Sequence, residues 1–271
     1  MVSSRRIAGS VSKSRGRRRP LRAAMRAGRI RLVRATPEQI AQYGELGYTA
    51  LGRIADAHEV AELLAEERRF RLPVAYGGKQ NQTLFVNVQL CHRSEPVRRF
   101  CTSGRHIGVV RDLIGPNVCL THQQFLTKLP DGGEQRSDIP FHQDNGYGQL
   151  EPMTDLTIWM ALVDTDERNG GLWIVPRSQR LGLLEHGQAG VNPLLREVAG
   201  EAPAVAVPLR AGEAVAFSGL TLHGSGPNRT REPRPGFFVR YCEPHARMVS
   251  EGNRPVLEDP HSWMVAGEAG P

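Results

Sequence analysis

The chain has 271 residues, 39% of them hydrophobic and 23% charged, the make-up of a globular protein with one sizeable core. No run of 18 apolar residues offers a membrane span. The four cysteines, Cys91, Cys101, Cys119 and Cys242, form no Cys-x-x-Cys pair, which argues against a disulfide scaffold or a zinc ribbon and suits a reducing, cytoplasmic setting.

The net charge of +7 is unevenly placed. Residues 1–34 hold 12 of the 35 basic residues and none of the 28 acidic ones, which leaves the remainder at −5. Residues 1–34 therefore read as a basic, disordered tail, with a nucleic-acid arm or a transit peptide as alternatives. Met25 is a plausible second start. Lysine occurs only as Lys13, Lys79 and Lys128, so arginine-rich stretches carry little meaning in this chain. The rest is expected to be a single domain over 35–271: a helical part (35–115), a β core (116–243) and a C-terminal extension (244–271).

The first helix is signalled by Thr36-Pro37-Glu38-Gln39, with Thr36 as N-cap, proline at the first position and glutamine completing a capping box. It should run to about Gly44, and a strand should follow over 47–51. A second helix starts at Asp56, with Glu59 three residues on and Val60, Leu63 and Leu64 on one apolar face. Alternation over 84–90 predicts a strand, with Leu84, Val86, Val88 and Leu90 on one side. Residues 96–114 read as helix, broken at Gly104 and stopped at Gly115-Pro116-Asn117. Strands then recur at 119–129, 155–163, 172–175, 204–209, 213–217 and 237–242, separated by glycine-containing turns. Helices first and a long antiparallel β region afterwards predict a jelly roll with flanking helices. The segments 71–82 and 181–203 lack a regular pattern and read as covers over a site.

The chemistry concentrates in Phe141-His142-Gln143-Asp144. On extended backbone, residues i and i+2 face the same side, so His142 and Asp144 can bind one ion together. His223 stands among small residues in Thr221-Leu222-His223-Gly224-Ser225-Gly226-Pro227-Asn228 and is the third ligand. Two histidines and one aspartate with open positions are the facial triad of non-haem iron(II) oxygenases; residue identity alone does not exclude zinc. A carboxylate-bearing cosubstrate then needs a cation. Arg234 lies just before the strand over 237–242, with Arg229, Arg231 and Arg240 as competitors that spacing alone does not eliminate.

The order of these pieces, with Asn169-Gly170-Gly171-Leu172, Pro176 and Ser178 between the two histidine motifs, resembles the phytanoyl-CoA dioxygenase family, from about Thr36 to Glu243. The resemblance implies a jelly-roll (double-stranded β-helix, cupin-like) fold and an enzyme that takes Fe(II), 2-oxoglutarate and O₂ to oxidise a small organic molecule, such as a natural-product intermediate. It assigns His142, Asp144 and His223 to the metal and Arg234, eleven residues past the second histidine, to 2-oxoglutarate. Lys128 and Ser225 are placed near the cosubstrate, Trp159 on the pocket wall, and Gln124 facing the active site. Tyr147 is a further pocket residue. The run Asn145-Gly146-Tyr147-Gly148 departs from the ectoine hydroxylases, which argues against ectoine as substrate. Related halogenases replace the metal-binding carboxylate with a small residue, so Asp144 implies oxygen chemistry without chloride. A macromolecular hydroxylase and a non-catalytic metal-binding jelly roll are the rival readings.

Overall fold

Among the described residues, four α-helices lie before the β-rich part of the chain. The computed structural model describes residues 32–76, 79–131, 137–187, 190–191 and 203–269. Of the expected tail, residues 1–31 lie outside the described residues, as do 77–78, 188–189 and 192–202 of the expected covers; Arg34, expected in the tail, instead pairs with Asp112, and most of 71–82, expected to lack a regular pattern, is strand. Helix α1 (Pro37–Leu46) starts at the Thr36/Gln39 capping box and stops where Gly47 takes a left-handed conformation, φ 82°. It runs slightly past the expected Gly44 because the residue able to turn the chain is Gly47. Helix α2 (Ala57–Phe70) starts at a second capping box, Asp56 with Glu59, and buries Val60 and Leu63; each N-cap contributes about 1 kcal/mol. Helices α3 (Glu95–Ser103) and α4 (Ile107–Ile114) are separated at Gly104, as expected.

The strands are, in chain order, β1 (Tyr48–Arg53), β2 (Pro73–Tyr76), β3 (Lys79–Val88), β4 (Val118–Lys128), β5 (Ile139–His142), β6 (Leu150–Glu151), β7 (Leu156–Ala161) and β8 (Leu172–Ile174). They continue with β9 (His186–Gly187), β10 (Gly190–Val191), β11 (Val205–Val207), β12 (Glu213–Ser218), β13 (His223–Ser225), β14 (Arg234–Cys242), β15 (Arg247–Met248), β16 (Arg254–Pro255) and β17 (Trp263–Ala266). The major sheet has the order β1-β12-β7-β14-β4-β3-β2, with β17 also on β4, and the minor sheet the order β11-β8-β13-β5. The pairings within both are antiparallel. This is the expected jelly roll with flanking helices.

The two faces of the major sheet have different partners. Leu156, Ile158 and Met160 of β7 pack into the core that also holds Val60, Leu63 and Phe100 of the helices. Trp159 and Ala161 point the other way, into the cluster containing Leu172 and Ile174 of the minor sheet. Both faces of β7 are buried, so its apolar run is nearly continuous.

Three expectations need correction. Strand β3 stops at Val88 rather than Leu90, because Gln89 adopts a left-handed conformation, φ 56°; Val88 is 46% exposed while Asn87, on the polar side, is buried under α2. Strand β14 begins at Arg234, not three residues later. Pro235 is tolerated there because β7 pairs with β14 only from Gly236 onward, so no strand on that side needs its missing N–H. His223 opens a short strand, β13, which was not among the expected strands.

Candidate active site

His142 closes β5 and His223 opens β13, and the two stand directly opposite each other in the sheet register. Their ring centroids are 4.2 Å apart. Gln143 continues the extended path (φ −111°, ψ 139°), so Asp144, at the start of a 3₁₀ turn, faces the same side as His142. The ligand atoms of His142, Asp144 and His223 all lie within 4.8 Å of one another. Asp144 Oδ1 is 3.9 Å from His142 Nε2 and 3.6 Å from His223 Nε2.

Each imidazole is fixed from behind. His142 Nδ1 donates to the Pro140 carbonyl at 2.8 Å and His223 Nδ1 to the Thr221 carbonyl at 3.0 Å. A carbonyl only accepts, so both Nδ1 atoms carry a hydrogen and both Nε2 atoms face the centre. Burial, helped by the neighbouring His223, lowers the His142 pKa to about 4, so this ring is neutral at pH 7. For Asp144, burial favours the neutral acid, but His223, Arg240, His142 and the Thr157 hydroxyl together hold its pKa below the ordinary value. Thr157 donates to Asp144 Oδ2, leaving Oδ1 toward the imidazoles. Two imidazole Nε2 atoms and one carboxylate oxygen, converging from one side, suit a divalent metal with open positions on the other.

The turn that carries Asp144 is held by buried polar groups. Gln143 donates to the carbonyls of Gly182 and Leu220 and accepts from Leu184 N–H. Its own backbone N–H donates to His186 Nε2 at 2.8 Å. Arg240 pairs with Asp155 at 2.6 Å and reaches Asn145 Oδ1 at 2.7 Å and the Gly148 carbonyl at 2.9 Å.

The triad opens onto a cavity of about 490 Å³ between the sheets, lined by apolar side chains such as Leu84, Val86, Leu126, Trp159, Phe217 and Phe238. Arg234 reaches this cavity from the start of β14. It is buried, lies 5.6 Å from the Trp159 ring, and spends one N–H on the Gly170 carbonyl. Its Nε and Nη1 have no partner although both are buried. Burial lowers its pKa to about 9. Unsatisfied guanidinium donors facing a cavity fit a carboxylate supplied by a ligand. The competing arginines are disposed otherwise: Arg229 and Arg231 are exposed, and Arg240 is committed to Asp155.

The remaining expected site residues fall into two groups. Trp159, Gln124 and Ser225 line the cavity, and Tyr147, 56% exposed, stands at its rim with its ring 5.5 Å from that of His142. Lys128 is buried and is not on the cavity wall. Its ammonium binds Ser225 Oγ, Ser225 O and Gly226 O, which uses its three donors to fasten β4 to the end of β13. Sequence reasoning missed Thr157, Gln143 and the Asn145–Asp155–Arg240 group, whose roles depend on pairing across strands. It also missed His122, which lines the cavity two residues from Gln124; the i, i+2 alternation of β4 was the available signal.

A family model described as phytanoyl-CoA dioxygenase matches residues 43–236. The rat peroxisomal phytanoyl-CoA dioxygenase is 26% identical over 182 residues, covering 64% of this chain and 54% of that protein. The chain thus spans about half the length of the rat, human and bovine phytanoyl-CoA dioxygenases it matches. Ectoine dioxygenase of Streptomyces avermitilis is 27% identical over 252 residues, covering 82% of this chain and 83% of that one. Among solved structures, the epimerase SnoN in complex with Fe3+, alpha ketoglutarate and nogalamycin RO has a TM-score of 0.69 at 27% identity, covering 81% of this chain and 86% of that chain.

Proposed function

Because the chain belongs to the phytanoyl-CoA dioxygenase family, we propose that it is an Fe(II)- and 2-oxoglutarate-dependent dioxygenase that hydroxylates or otherwise oxidises a small organic molecule of secondary metabolism. The observation that carries this reading is the pairing of a His142–Asp144–His223 triad with the unsatisfied Arg234 guanidinium across one apolar cavity. Bound iron(II), with 2-oxoglutarate and O₂, supplies the oxidising power to break an unactivated C–H bond.

The chain's own residues supply position and shelter. His142, His223 and Asp144 Oδ1 hold the metal. Arg234 takes the far carboxylate of 2-oxoglutarate, beside Trp159 and Ser225. Lys128 acts through Ser225 and Gly226 rather than on the ligand. The apolar wall excludes water from the reacting carbon, and Gln124 and Tyr147 face the substrate. The catalytic domain is taken to span 35–271. Its net charge of −5 supports a small molecule rather than nucleic acid as substrate. No helix among the described residues is long and apolar enough to cross a membrane, and the four free, buried cysteines fit a cytoplasmic setting.

The test is iron binding together with 2-oxoglutarate turnover, read as succinate release. Alanine at His142, Asp144 or His223 should abolish both in a folded protein. Arg234→Ala should raise the 2-oxoglutarate KM about a hundredfold, since a charge-assisted pair in a shielded site is lost, while Arg231→Ala leaves it within about twofold. Iron-dependent turnover that survives in all three triad variants would sink the metal assignment.

A further inference from the structure

Strand β4 turns His122, Gln124 and Leu126 into the cavity, while Thr121, Gln123 and Phe125 are buried on the opposite face. His122 stacks on Phe238 with ring centroids 5.5 Å apart. Its proton can be placed from a chain of hydrogen bonds anchored on the backbone. The Leu90 N–H donates to Gln123 Oε1 at 3.0 Å, which fixes the orientation of that amide. Gln123 Nε2 then donates to Gln89 Oε1 at 3.1 Å, which fixes the next one. Gln89 Nε2 therefore faces His122 Nδ1, at 3.3 Å, while also donating to the Thr121 carbonyl at 3.2 Å. Nδ1 is thus the acceptor and Nε2 carries the hydrogen. Burial lowers the pKa of this ring, which keeps it singly protonated. In the structure Nε2–H has one partner, Gln124 Oε1, at a long 3.4 Å.

The surroundings say what this donor could meet. His122 pairs in register with Arg240, and Arg240 with Thr157, the residue that holds Asp144. His122 therefore stands two strand spacings, about 10 Å, from Thr157 across the sheet. Between them lies the Arg240 guanidinium, its charge matched by Asp155, and beside it the Phe238 ring. Val86 and Leu126 continue an apolar wall. A charged group brought here would be buried without a counter-ion, at high cost; an oxygen acceptor would be satisfied by one hydrogen bond.

Resting on the function proposed above, we infer that His122 is a substrate-recognition residue whose Nε2–H, aimed by Gln89, binds a carbonyl, hydroxyl or ether oxygen on an uncharged, largely apolar substrate lying over Phe238. Gln89 is a positioning residue that acts through His122. Its left-handed backbone conformation is what turns its amide back onto β4.

The experiment is equilibrium dialysis of the full chain loaded with redox-inert nickel(II) and 2-oxoglutarate, against tetralone, tetralin and tetralin carboxylate. These probes share a bicyclic apolar skeleton and differ in the oxygen. The unmodified protein should bind tetralone about tenfold more tightly than tetralin, the worth of one hydrogen bond, and the carboxylate more weakly than tetralone. His122→Phe keeps the stack on Phe238 and should bind tetralone and tetralin alike. Gln89→Asn leaves His122 in place but is too short to hold Nδ1, and should lose part of the preference. A preference that persists in His122→Phe, equal or absent binding of tetralone and tetralin by the unmodified protein, or tightest binding of the carboxylate would each overturn the assignment. Nickel and 2-oxoglutarate retention in the same dialysis separates the two levels. Failure of the unmodified protein to hold them sinks the proposed function, whereas retention without discrimination among the probes sinks only the role of His122.

Discussion

Asp144 has two carboxylate oxygens with different duties. Oδ2 receives the Thr157 hydroxyl and Oδ1 faces the histidines. The hydroxyl lowers the freedom of the carboxylate to rotate and favours its ionised form, so Thr157→Val should weaken metal binding about 10–100-fold by calorimetry, with the fold retained. Unchanged affinity would mean that the turn at Asn145 alone orients the carboxylate. A second residue-scale consequence concerns His106, buried beneath α3 and α4. Tyr241 OH donates to the Cys101 carbonyl, so His106 Nε2 donates to Tyr241 OH, and its Nδ1 is an unpartnered lone pair. Protonation would create a buried N–H with no acceptor, and burial holds the pKa at about 3, below the ordinary 6.5. Between these values the unfolded chain binds the extra proton. The contribution is fully present above pH 6.5 and is lost as pH falls toward 3, about 2 kcal/mol between pH 7 and pH 5. Urea unfolding at the two pH values should show this loss in the unmodified protein and a shallower one in His106→Phe.

At the scale of elements, β14 explains how Arg234 reaches the cavity from a strand end. A Cβ at Gly236 would lie 2.9 Å from Trp159 Cζ2 and 3.0 Å from Arg234 Nη1. The glycine therefore leaves the space in which the guanidinium packs beside the indole. Gly236→Ala should weaken 2-oxoglutarate binding about tenfold and cost about 1–3 kcal/mol of stability, since both the buried indole and the arginine head must shift. An unchanged 2-oxoglutarate affinity would show that the guanidinium settles equally well elsewhere. The same strand marks what was legible in the sequence. Helices α1 and α2 were readable because capping boxes are local, and β4, β7 and β12 because their apolar patterns are long. That His142 and Asp144 face one side was readable from the i, i+2 rule, whereas His223 was joined to them by its small-residue setting and the family resemblance, and the structure brings the three together. Strand β13 was not readable: His-Gly-Ser has no alternation, and its extended form comes from pairing with β8 and β5. The end of β3 was misread because nothing local marks Gln89 as left-handed. Thr157 was invisible as a site residue because its partner lies 13 positions away in the chain.

For the whole molecule, the family match begins at residue 43 and the contacts that seat the first helix begin near Val33, whose N–H donates to Arg105 O at 2.8 Å. A chain starting at Met25 keeps these groups and should unfold at the same temperature and release succinate at the same rate as the full chain; a large loss of either would assign the basic residues before it a function. The opposed histidines carry a further consequence. Strand β5 lies at the edge of the minor sheet, joined to β13 through a register that shifts between His223 and Ser225. A cation held by His142, Asp144 and His223 would bridge the two strands at this irregular pairing, and so would act as a rivet at the edge of the minor sheet. Folding and metal occupancy are then linked by mass action: at a hundredfold excess over Kd the native state gains about 2.7 kcal/mol. Melting temperature should rise with nickel concentration in the unmodified protein and stay flat in His223→Ala. On the proposed function, scarcity of iron would first shorten the persistence of the protein itself, through protease attack at the loosened edge.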